Sequence, residues 1–474
     1  MQFMQKSITF FQALIPVLVL MSLLAFNIFV KKGEWLGDYS NQYILLFSGF
    51  VAFVIVLIYK VRLRKIWAEV YENLKSVFIP IIILALVGAL TGAWLISGII
   101  PAMVYYGLNI LSPEIFLPAS VIISAILSLA TGSSWTTTAT VGIALIGIGT
   151  AMGISAGMIA GAVISGAYFG DKLSPLSDTT NLAPAMAGTD LYTHIKYMTY
   201  TTVPSIVVTL IVFSILSFTI ETKGDADIDS ILNSIGSYFT ITPWLFMVPS
   251  VVVLLILLKV KPILALFSGV ALAMVFAYFF QPQMITNNLE SEGWLGFLGE
   301  TLFLENSIET KSDLLNELFV SKGVVGMIST ILLILSAMIF GGIMDGVGAL
   351  SKITEVLLKG AKTVFGLFTS TVLSCLGLNA IASDQYLAIV IPGRMYRKAY
   401  ADRGLAPENL SRTLEDSGTV TSVLIPWNTC GAYQSSVLGV GVAEYFFFAI
   451  FNWISPIVTL VFAYFIIKIR KLVT

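Results

Sequence analysis

The sequence predicts an all-α polytopic membrane protein made of two inverted-topology repeats, with broken helices or re-entrant hairpins at the bilayer midplane. Three observations lead to this prediction: the composition, the spacing of the apolar segments, and matching interruptions in two of them. Of the 474 residues, 57% are hydrophobic and 11% are charged, and the mean hydropathy is +0.92. Soluble domains carry about 25% charged residues, and a soluble core could not hide this much apolar surface. A water-soluble protein is therefore excluded.

The composition also excludes several classes of function. A net charge of −1 and a pI near 6.0 argue against nucleic acid as a partner, because such binders carry a basic surface. Two cysteines, Cys375 and Cys430, and one histidine, His194, are too few for a closed zinc site or a disulfide framework. The first apolar run is long enough to span a bilayer and does not resemble a cleaved signal peptide. We expect no enzymatic activity and no cofactor.

The apolar segments fall into two sets, each with four spans and one interrupted stretch. A span needs about 20 apolar residues. The first repeat, 1–220, holds spans at about 8–30, 42–59, 77–99 and 195–220, with a broken region at 115–193. The second repeat, 242–474, holds spans at about 242–258, 262–281, 323–344 and 442–467, with a broken region at 364–440. Both broken regions are apolar but are interrupted by Gly, Pro, Ser, Thr and acidic residues.

The connecting segments predict the orientation of the chain in a cell membrane. Basic residues concentrate in 60–75, in 394–412 and after residue 467, and such segments are cytoplasmic by the positive-inside rule. Acidic residues dominate a linker at 221–241 and the longest loop, 282–322, which we expect to be external. Both termini are then cytoplasmic. Equivalent spans of the two halves run in opposite directions, and the broken regions occupy matching places, which is typical of a transporter site.

The first broken region contains a hydroxyl-rich turn. Residues 131–140 read TGSSWTTTAT, in which seven of ten side chains are hydroxylic. A non-helical turn at membrane depth persists only where it is buried in protein or lines water. Ser133, Ser134, Thr136 and Thr137 are therefore candidate ion ligands. The alternative is that these hydroxyls bond to their own helix and pack against its neighbours.

An acidic motif follows in the same region. Residues 170–181 read GDKLSPLSDTTN, and helical spacing places Asp171, Ser174 and Asp178 on one face, with Asn181 nearby. Pro175 lacks an N–H, so the carbonyl of Asp171 is predicted to lose its helical partner. This set of oxygen atoms suits a hard cation such as Na⁺, and intramembrane carboxylates are usually functional. The alternatives are a local pair between Asp171 and Lys172 or an exposed loop.

The second broken region offers counterparts. Residues 378–385 read LNAIASDQ and contribute Asn379 and Asp384, and residues 425–429 contribute Asn428 and Thr429. Pro426 is predicted to free the carbonyl of Ser422 by the same geometry. Three further groups have weaker claims. Glu415 and Asp416 lie close to the basic segment 394–412, so ion pairs at the rim compete with a role in the site, and His194 is expected at the membrane interface.

These strings resemble a known family. TGSSWTTTATVG, GDKLSPLSDTTN and LEDSGTVTSVLIPWNTCGA resemble the NhaC-type Na⁺/H⁺ antiporter family over nearly the whole chain. That family lies within the ion-transporter superfamily and includes malate/lactate exchangers. The resemblance implies transport coupled to Na⁺ and H⁺ in a bacterial inner membrane.

The residues suggest a mechanism for such exchange. A buried carboxylate can hold a proton or a Na⁺ but not both comfortably, so competition in a site of alternating access gives antiport. We assign this role to Asp171 and Asp178, with Asp384 as the contribution of the second half. Na⁺ is predicted to bind through Asp171, Asp178, Asn181 and Asn428, with hydroxyl ligands from Ser174, Thr429 and residues 133–137.

Three other functions stay open at this stage. Malate or lactate could bind hydroxyls and half-helix N-termini in a carboxylate exchanger coupled to Na⁺ and H⁺. Tyr168 to Asp171 superficially matches the site of an intramembrane aspartyl protease, although the glycine spacing is wrong. A passive channel is the third. The partners expected are Na⁺, H⁺, small carboxylates and the lipid bilayer, and the oligomeric state is open, a homodimer included.

Overall fold

The fold is helical throughout the part of the chain that the structure describes. The structure is a computed structural model and describes residues 8–31, 35–59, 61–219, 225–308, 310 and 313–472. In these residues, seven helices are long and apolar enough to cross a membrane, or eight if a pair bent by 86°, Ile228–Tyr238 and Pro243–Leu257, counts as one span. The prediction of an all-α polytopic membrane protein is confirmed.

The first half of the chain contains eleven helices. They are α1 Phe10–Ala25, α2 Ser40–Ile58, α3 Leu63–Ser76, α4 Phe78–Ile96, α5 Ile99–Ile110, α6 Pro113–Thr131, α7 Ser134–Thr137, α8 Ile143–Ala151, α9 Ala156–Leu173, α10 Asp178–Ala187 and α11 Leu191–Thr219. Two π-helical segments, Phe26–Val30 and Thr138–Gly142, extend α1 and join α7 to α8. The gaps after α6 and after α9 are the two breaks of this half.

The second half follows a similar order. Its helices are α12 Asp225–Tyr238, α13 Met247–Leu257, α14 Pro262–Phe280, α15 Pro282–Phe303, α16 Asp313–Leu318, α17 Gly323–Gly326, α18 Ile328–Gly346, α19 Ala349–Gly360, α20 Val364–Ile381, α21 Gln385–Ala401, α22 Pro407–Leu414, α23 Thr429–Leu438, α24 Val442–Tyr445 and α25 Ile450–Tyr464. Short 3₁₀ segments cover Pro243–Phe246 and Ser422–Leu424, and Glu415–Thr419 is π-helical. Two short strands, Asn306–Ser307 and Val320–Ser321, pair antiparallel.

The segments that connect the predicted spans contain more helix than the sequence predicted. Residues 282–322 were expected to form a loop, but they hold α15, α16 and the two strands. A search for long apolar runs misses such helices because their composition is mixed. Most of the predicted linker 221–241 is α12, and residues 221–224 lie outside the described residues, as do Lys60 and residues 309, 311 and 312 of the other connecting segments.

Helix ends recur at a nearly constant spacing along the chain. Each equivalent pair has the same local structure: a left-handed glycine between two helices, a side chain that caps the helix after a break, or a left-handed glycine after a short helix. The pairs, separated by 250 or 251 residues, are Gly98 and Gly348, Ser133 and Asp384, Ser177 and Asn428, and Gly188 and Gly439. This regularity favours two repeats, whose inverted orientation stays a prediction.

The second half has equivalent breaks before α21 and before α23. The two breaks of each half lie against one another. In the first half, Gly132 adopts a positive φ of 70° beside the backbone of Leu176 and Ser177, where a Cβ atom would clash. In the second half, the Thr429 N–H donates to the carbonyl oxygen of Ser383 at 2.9 Å. In each half, this contact brings polar residues of the two breaks together.

Helix α9 packs on its neighbours through glycine. A Cβ atom at Gly166 or Gly170 would overlap the carbonyl oxygen of Val121 or Ala125 on α6. At Gly157 and Gly161 it would instead overlap the backbone of Glu444 and Phe448. Small residues four apart let helix backbones approach closely in a membrane. Helix α9 is therefore fixed on two sides.

We expect Gly166→Ala to lower the stability of the detergent-solubilised protein by about 1–3 kcal/mol, because the added methyl group forces α6 and α9 apart. The measurement is thermal unfolding of the purified protein. The control is Gly377→Ala in α20, where a Cβ atom would meet nothing within 4 Å. Equal midpoints for the two variants would contradict the close packing described above.

Candidate functional site

Asp171 lies where the two breaks of the first half meet. It occupies the last turn of α9 and is half-buried. Its Oδ2 accepts hydrogen bonds from the backbone N–H of Ser134 at 3.0 Å and from the Ser134 hydroxyl at 2.7 Å. Ser134 begins α7, and the first N–H groups of a helix have no partner within the helix. The Asp171 carboxylate at one break is thus held by the N-terminus of α7 at the other break.

The other hydroxyls of residues 131–140 are used more locally. Ser133 caps α7 by accepting from the Thr136 N–H at 3.2 Å, and Thr136 Oγ1 also donates to Ser133 Oγ. The hydroxyls of Thr137 and Thr140 donate to carbonyl oxygens one turn earlier. Among these ten residues, all of which the structure describes, Ser134 alone bonds to a carboxylate. Back-bonding, the alternative considered from the sequence, accounts for much of this cluster.

The prediction of a single helical face for Asp171, Ser174 and Asp178 is wrong. Helix α9 ends at Leu173 and α10 begins at Asp178, because Pro175 interrupts the helix and Ser177 caps a new one. The carbonyl of Asp171 is also not free: it accepts from the Ser174 N–H and the Thr180 hydroxyl. The carbonyl of Ser422 accepts from the Ile425 N–H at 3.3 Å in the same way.

The remaining candidates of this motif differ in exposure. Ser174 is buried and accepts from the Leu176 N–H at 3.3 Å, whereas Asp178 and Asn181 are exposed. The Asn181 amide donates to the carbonyl oxygens of Pro175 and Ser177, at 3.0 Å and 2.7 Å, and so closes the turn between α9 and α10.

In the second half, two buried asparagines hold the breaks together. Asn428 Nδ2 donates to the Asn379 carbonyl oxygen at 3.0 Å, and Asn428 Oδ1 accepts from the Cys430 N–H and so caps α23. Asn379 Nδ2 donates to the carbonyl oxygen of Gly418 at 2.7 Å. Asp384 caps α21, since its side chain accepts from the Leu387 N–H at 3.0 Å. The hydroxyl of Thr429 donates to Asn428 Oδ1 at 3.4 Å.

The two halves meet next to these breaks. The rings of Trp135 and Tyr433 stack with centroids 4.0 Å apart and planes 17° apart. Nearby, the Tyr386 side chain interacts electrostatically with three carboxylates: Asp171, Asp178 and Asp384. Acidic candidates of both halves therefore interact with one phenol.

A buried ion pair was missed by the sequence analysis. Lys172 Nζ bonds to Asp416 Oδ1, and the Lys172 ammonium also donates to the Ser455 hydroxyl at 2.9 Å. Asp416 Oδ2 accepts from the hydroxyls of Thr201, at 2.8 Å, and Thr459. All five side chains are fully buried. Lys172 therefore does not pair with Asp171, and Asp416 does not pair with the basic segment 394–412. The partner of Lys172 lies 244 residues later in the chain, and no local pattern indicates such a distance.

Three other groups are also buried between helices. Glu415 accepts from the Thr179 hydroxyl at 2.9 Å rather than from an arginine. Arg412 is fully buried, with its guanidinium 4.6 Å from the centroid of the Tyr197 ring. His194 is fully buried, with Nδ1 2.8 Å from Ser411 Oγ, and its expected place at the membrane interface stays a prediction. It lies in the first turn of α11, and that turn packs against α22.

Apolar spans, paired helix breaks and carboxylates held between them are the features of a multi-pass membrane transporter. Residues 166–467 match the model of the Na⁺/H⁺ antiporter family. The chain is 36% identical to the Na⁺/H⁺ antiporter NhaC of Alkalihalophilus pseudofirmus, over 99% of this chain and 98% of that protein. The chain belongs to the Na⁺/H⁺ antiporter family and is a secondary transporter.

Two further relatives carry other substrates in their names. The malate-2H⁺/Na⁺-lactate antiporter of Bacillus subtilis is 32% identical, over 96% of this chain and 94% of that protein. The arginine/ornithine antiporter ArcD of Halobacterium salinarum is 33% identical, over 97% and 93%. All three relatives are named antiporters, which favours a transporter over the protease alternative.

We expect Lys172→Met to destabilise the protein by about 3–5 kcal/mol, because it leaves the Asp416 carboxylate buried and unpaired. Thermal unfolding in detergent measures this loss. The double variant Lys172→Met/Asp416→Leu removes both charges and should recover most of it. Lys352→Met is the control, since Lys352 pairs with Glu355 on the surface of α19. A Lys172→Met protein as stable as this control would show that the buried pair contributes little.

Proposed function

We infer that the protein exchanges Na⁺ for H⁺ across a bacterial inner membrane, through carboxylates that bind the two ions competitively as the site opens alternately to each side. The observation that carries this proposal is Asp171, half-buried and held by Ser134 at the junction of two helix breaks. Asp178 and Asp384 share its electrostatic surroundings at Tyr386. A charged carboxylate is expensive within a membrane. Either a proton or a Na⁺ lowers that cost, and the need for one or the other couples the two flows.

The proposed Na⁺ ligands differ in how ready they are to bind. Na⁺ prefers hard oxygen donors. Among the proposed ligands, the carboxylates of Asp171 and Asp178 meet this preference best. The amides of Asn181 and Asn379 donate through Nδ2 to carbonyl oxygens, whereas Na⁺ would bind the amide oxygen. Asn428 Oδ1 caps α23 by accepting from the Cys430 N–H, so Asn428 would have to exchange that bond for the ion. Hydroxyl donors proposed around the carboxylates are Ser133, Ser134, Thr136, Thr137, Ser174 and Thr429.

Alternating access is supported by the regular spacing of helix ends in the two halves. Under this proposal, residues 1–220 and 242–474 form inverted repeats joined by the acidic linker 221–241. Helix α4 packs against α14 and α18 against α2, which are equivalent pairs if the halves are related in this way. The basic segments and both termini then face the cytoplasm. Transporters of this design bind substrate at the interface between repeats.

The test is exchange in proteoliposomes that contain purified protein. We expect Asp171→Asn to lower Na⁺-driven dissipation of a pH gradient by about 100-fold or more, because the amide cannot carry a proton and loses an interaction with the cation worth about 3 kcal/mol. Asp178→Asn should also lower the rate. The control is Asp190→Asn, since Asp190 is exposed and accepts from the Thr193 N–H at the start of α11, outside the proposed site. Exchange at the wild-type rate by both site variants would refute the proposal.

A second candidate function is exchange of organic substrates. It is favoured by the two relatives named for malate, lactate, arginine and ornithine, which align over nearly the whole chain. The starts of α7, α10, α21 and α23 could hold a carboxylate group if it displaced some of the side chains that cap them. Adding malate, lactate, arginine or ornithine to the same liposomes separates the candidates. Ion movement that requires one of these compounds would favour the organic exchanger.

A further inference from the structure

Glu415 is a buried carboxyl group that the proposed Na⁺ site does not use. It begins the π-helical segment Glu415–Thr419 and is fully buried. Its Oε1 accepts a hydrogen bond from the Thr179 hydroxyl at 2.9 Å. Its Oε2 is buried and has no hydrogen-bond partner among the described residues.

No cation within the described residues is bonded to Glu415. Lys172 is committed to Asp416, and Arg470 pairs with Glu408 at 2.6 Å. Arg412 lies over the Tyr197 ring, and its three nitrogen atoms make no hydrogen bond in the described part of the chain. An unpaired buried carboxylate costs several kcal/mol, whereas the protonated carboxyl is neutral. The surroundings therefore favour a proton on Glu415.

The neighbouring Asp416 shows the opposite arrangement. Its two oxygens receive one ammonium and three hydroxyls, from Lys172, Thr201, Ser455 and Thr459. Such a set stabilises the charged form. Lys172, Asp171 and Cys375 are among the groups that interact electrostatically with Glu415, and Lys172 is already paired with Asp416.

Two hydroxyls connect Glu415 to the proposed cation site. Thr179 Oγ1 lies 3.2 Å from Ser177 Oγ, and Ser177 caps the helix that begins at Asp178. Hydroxyl groups both donate and accept hydrogen bonds, so a chain of them can pass a proton. These two hydroxyls link the buried carboxyl of Glu415 to the helix break beside Asp171, where Asp178 is exposed.

We propose that Glu415 is an additional proton-carrying group of the exchange cycle, separate from the carboxylates that bind Na⁺. The inference rests on the proposed Na⁺/H⁺ exchange. When Na⁺ enters, the O–H bond of the Glu415 carboxyl breaks, and the proton passes through Thr179 and Ser177 to water at the break. The negative charge left on Glu415 balances the charge of the ion. When Na⁺ leaves, a proton from water returns by the same path.

The test is the number of protons exchanged per Na⁺ in proteoliposomes, measured as the pH gradient that balances a set Na⁺ gradient. We expect Glu415→Gln to lower this number by one, because glutamine mimics the protonated group but cannot release the proton. Exchange of ²²Na⁺ for Na⁺ should persist, since the Asp171 site is intact. The matched control is Glu408→Gln on the adjacent α22, where the glutamate is paired with Arg470; it should keep the wild-type number.

Three results would overturn the inference. An unchanged proton number in Glu415→Gln would show that this carboxyl does not carry a proton in the cycle. Loss of ²²Na⁺/Na⁺ exchange together with proton coupling would make Glu415 a cation ligand instead. A wild-type protein without Na⁺-driven proton movement would refute the exchange function, and this inference with it. In the first two cases the wild type still exchanges the ions, so the two failures are distinguishable.

Infrared spectroscopy of the purified protein gives an independent readout. The wild type should show a protonated-carboxyl C=O band that is missing in Glu415→Gln and retained in Glu408→Gln. Thr179→Val removes the donor to Glu415 Oε1 and should shift that band to higher frequency, whereas Thr179→Ser should not. These Thr179 variants leave Glu415 in place, so the test holds even if Glu415→Gln fails to fold. A band that is insensitive to Thr179→Val would overturn the inference.

Discussion

The hydrocarbon interior of a membrane offers no hydrogen bonds, and this constraint governs the four helix breaks. Each break exposes backbone groups that must find partners within the protein. The helices that follow the breaks are capped by Ser133, Ser177, Asp384 and Asn428. The breaks also bond to one another, as the Thr429 N–H does to Ser383. The polar residues that make non-helical backbone tolerable at these places are thus largely those that could hold an ion.

The same constraint separates two adjacent acids. Glu415 and Asp416 follow one another in a π-helical turn, yet one side chain reaches α10 and the other reaches α11 and α25. Asp416 accepts from an ammonium and three hydroxyls, whereas Glu415 Oε1 accepts from the Thr179 hydroxyl and no cation is bonded to Glu415 among the described residues. Two carboxyl groups one residue apart therefore face different electrostatic surroundings. The direction of each side chain, more than its place in the sequence, decides which form the protein stabilises.

The membrane fold and the polar breaks could be predicted from the sequence because both depend on local patterns. Long apolar runs indicate spans, and clusters of Gly, Pro, Ser and Thr indicate interruptions. Such patterns do not predict contacts between distant segments, such as the ion pair of Lys172 and Asp416. The prediction that Asp171 and Asp178 share a helical face is wrong for a local reason: the Ser177 cap starts a new helix after Pro175. The burial of His194 could not be predicted either, because it depends on α22, far along the chain.

The glycine contacts of α9 determine which parts of the molecule can move. Where two backbones touch, as at Gly166 and Gly170 against α6, no layer of flexible side chains remains to absorb a displacement. A movement that opened the proposed site would therefore carry α6 and α9, with Asp171, together with the backbone around Glu444 and Phe448, which α9 touches in the same way. Interfaces lined by larger groups, such as the stacked rings of Trp135 and Tyr433, would absorb such a displacement more readily than these backbone contacts.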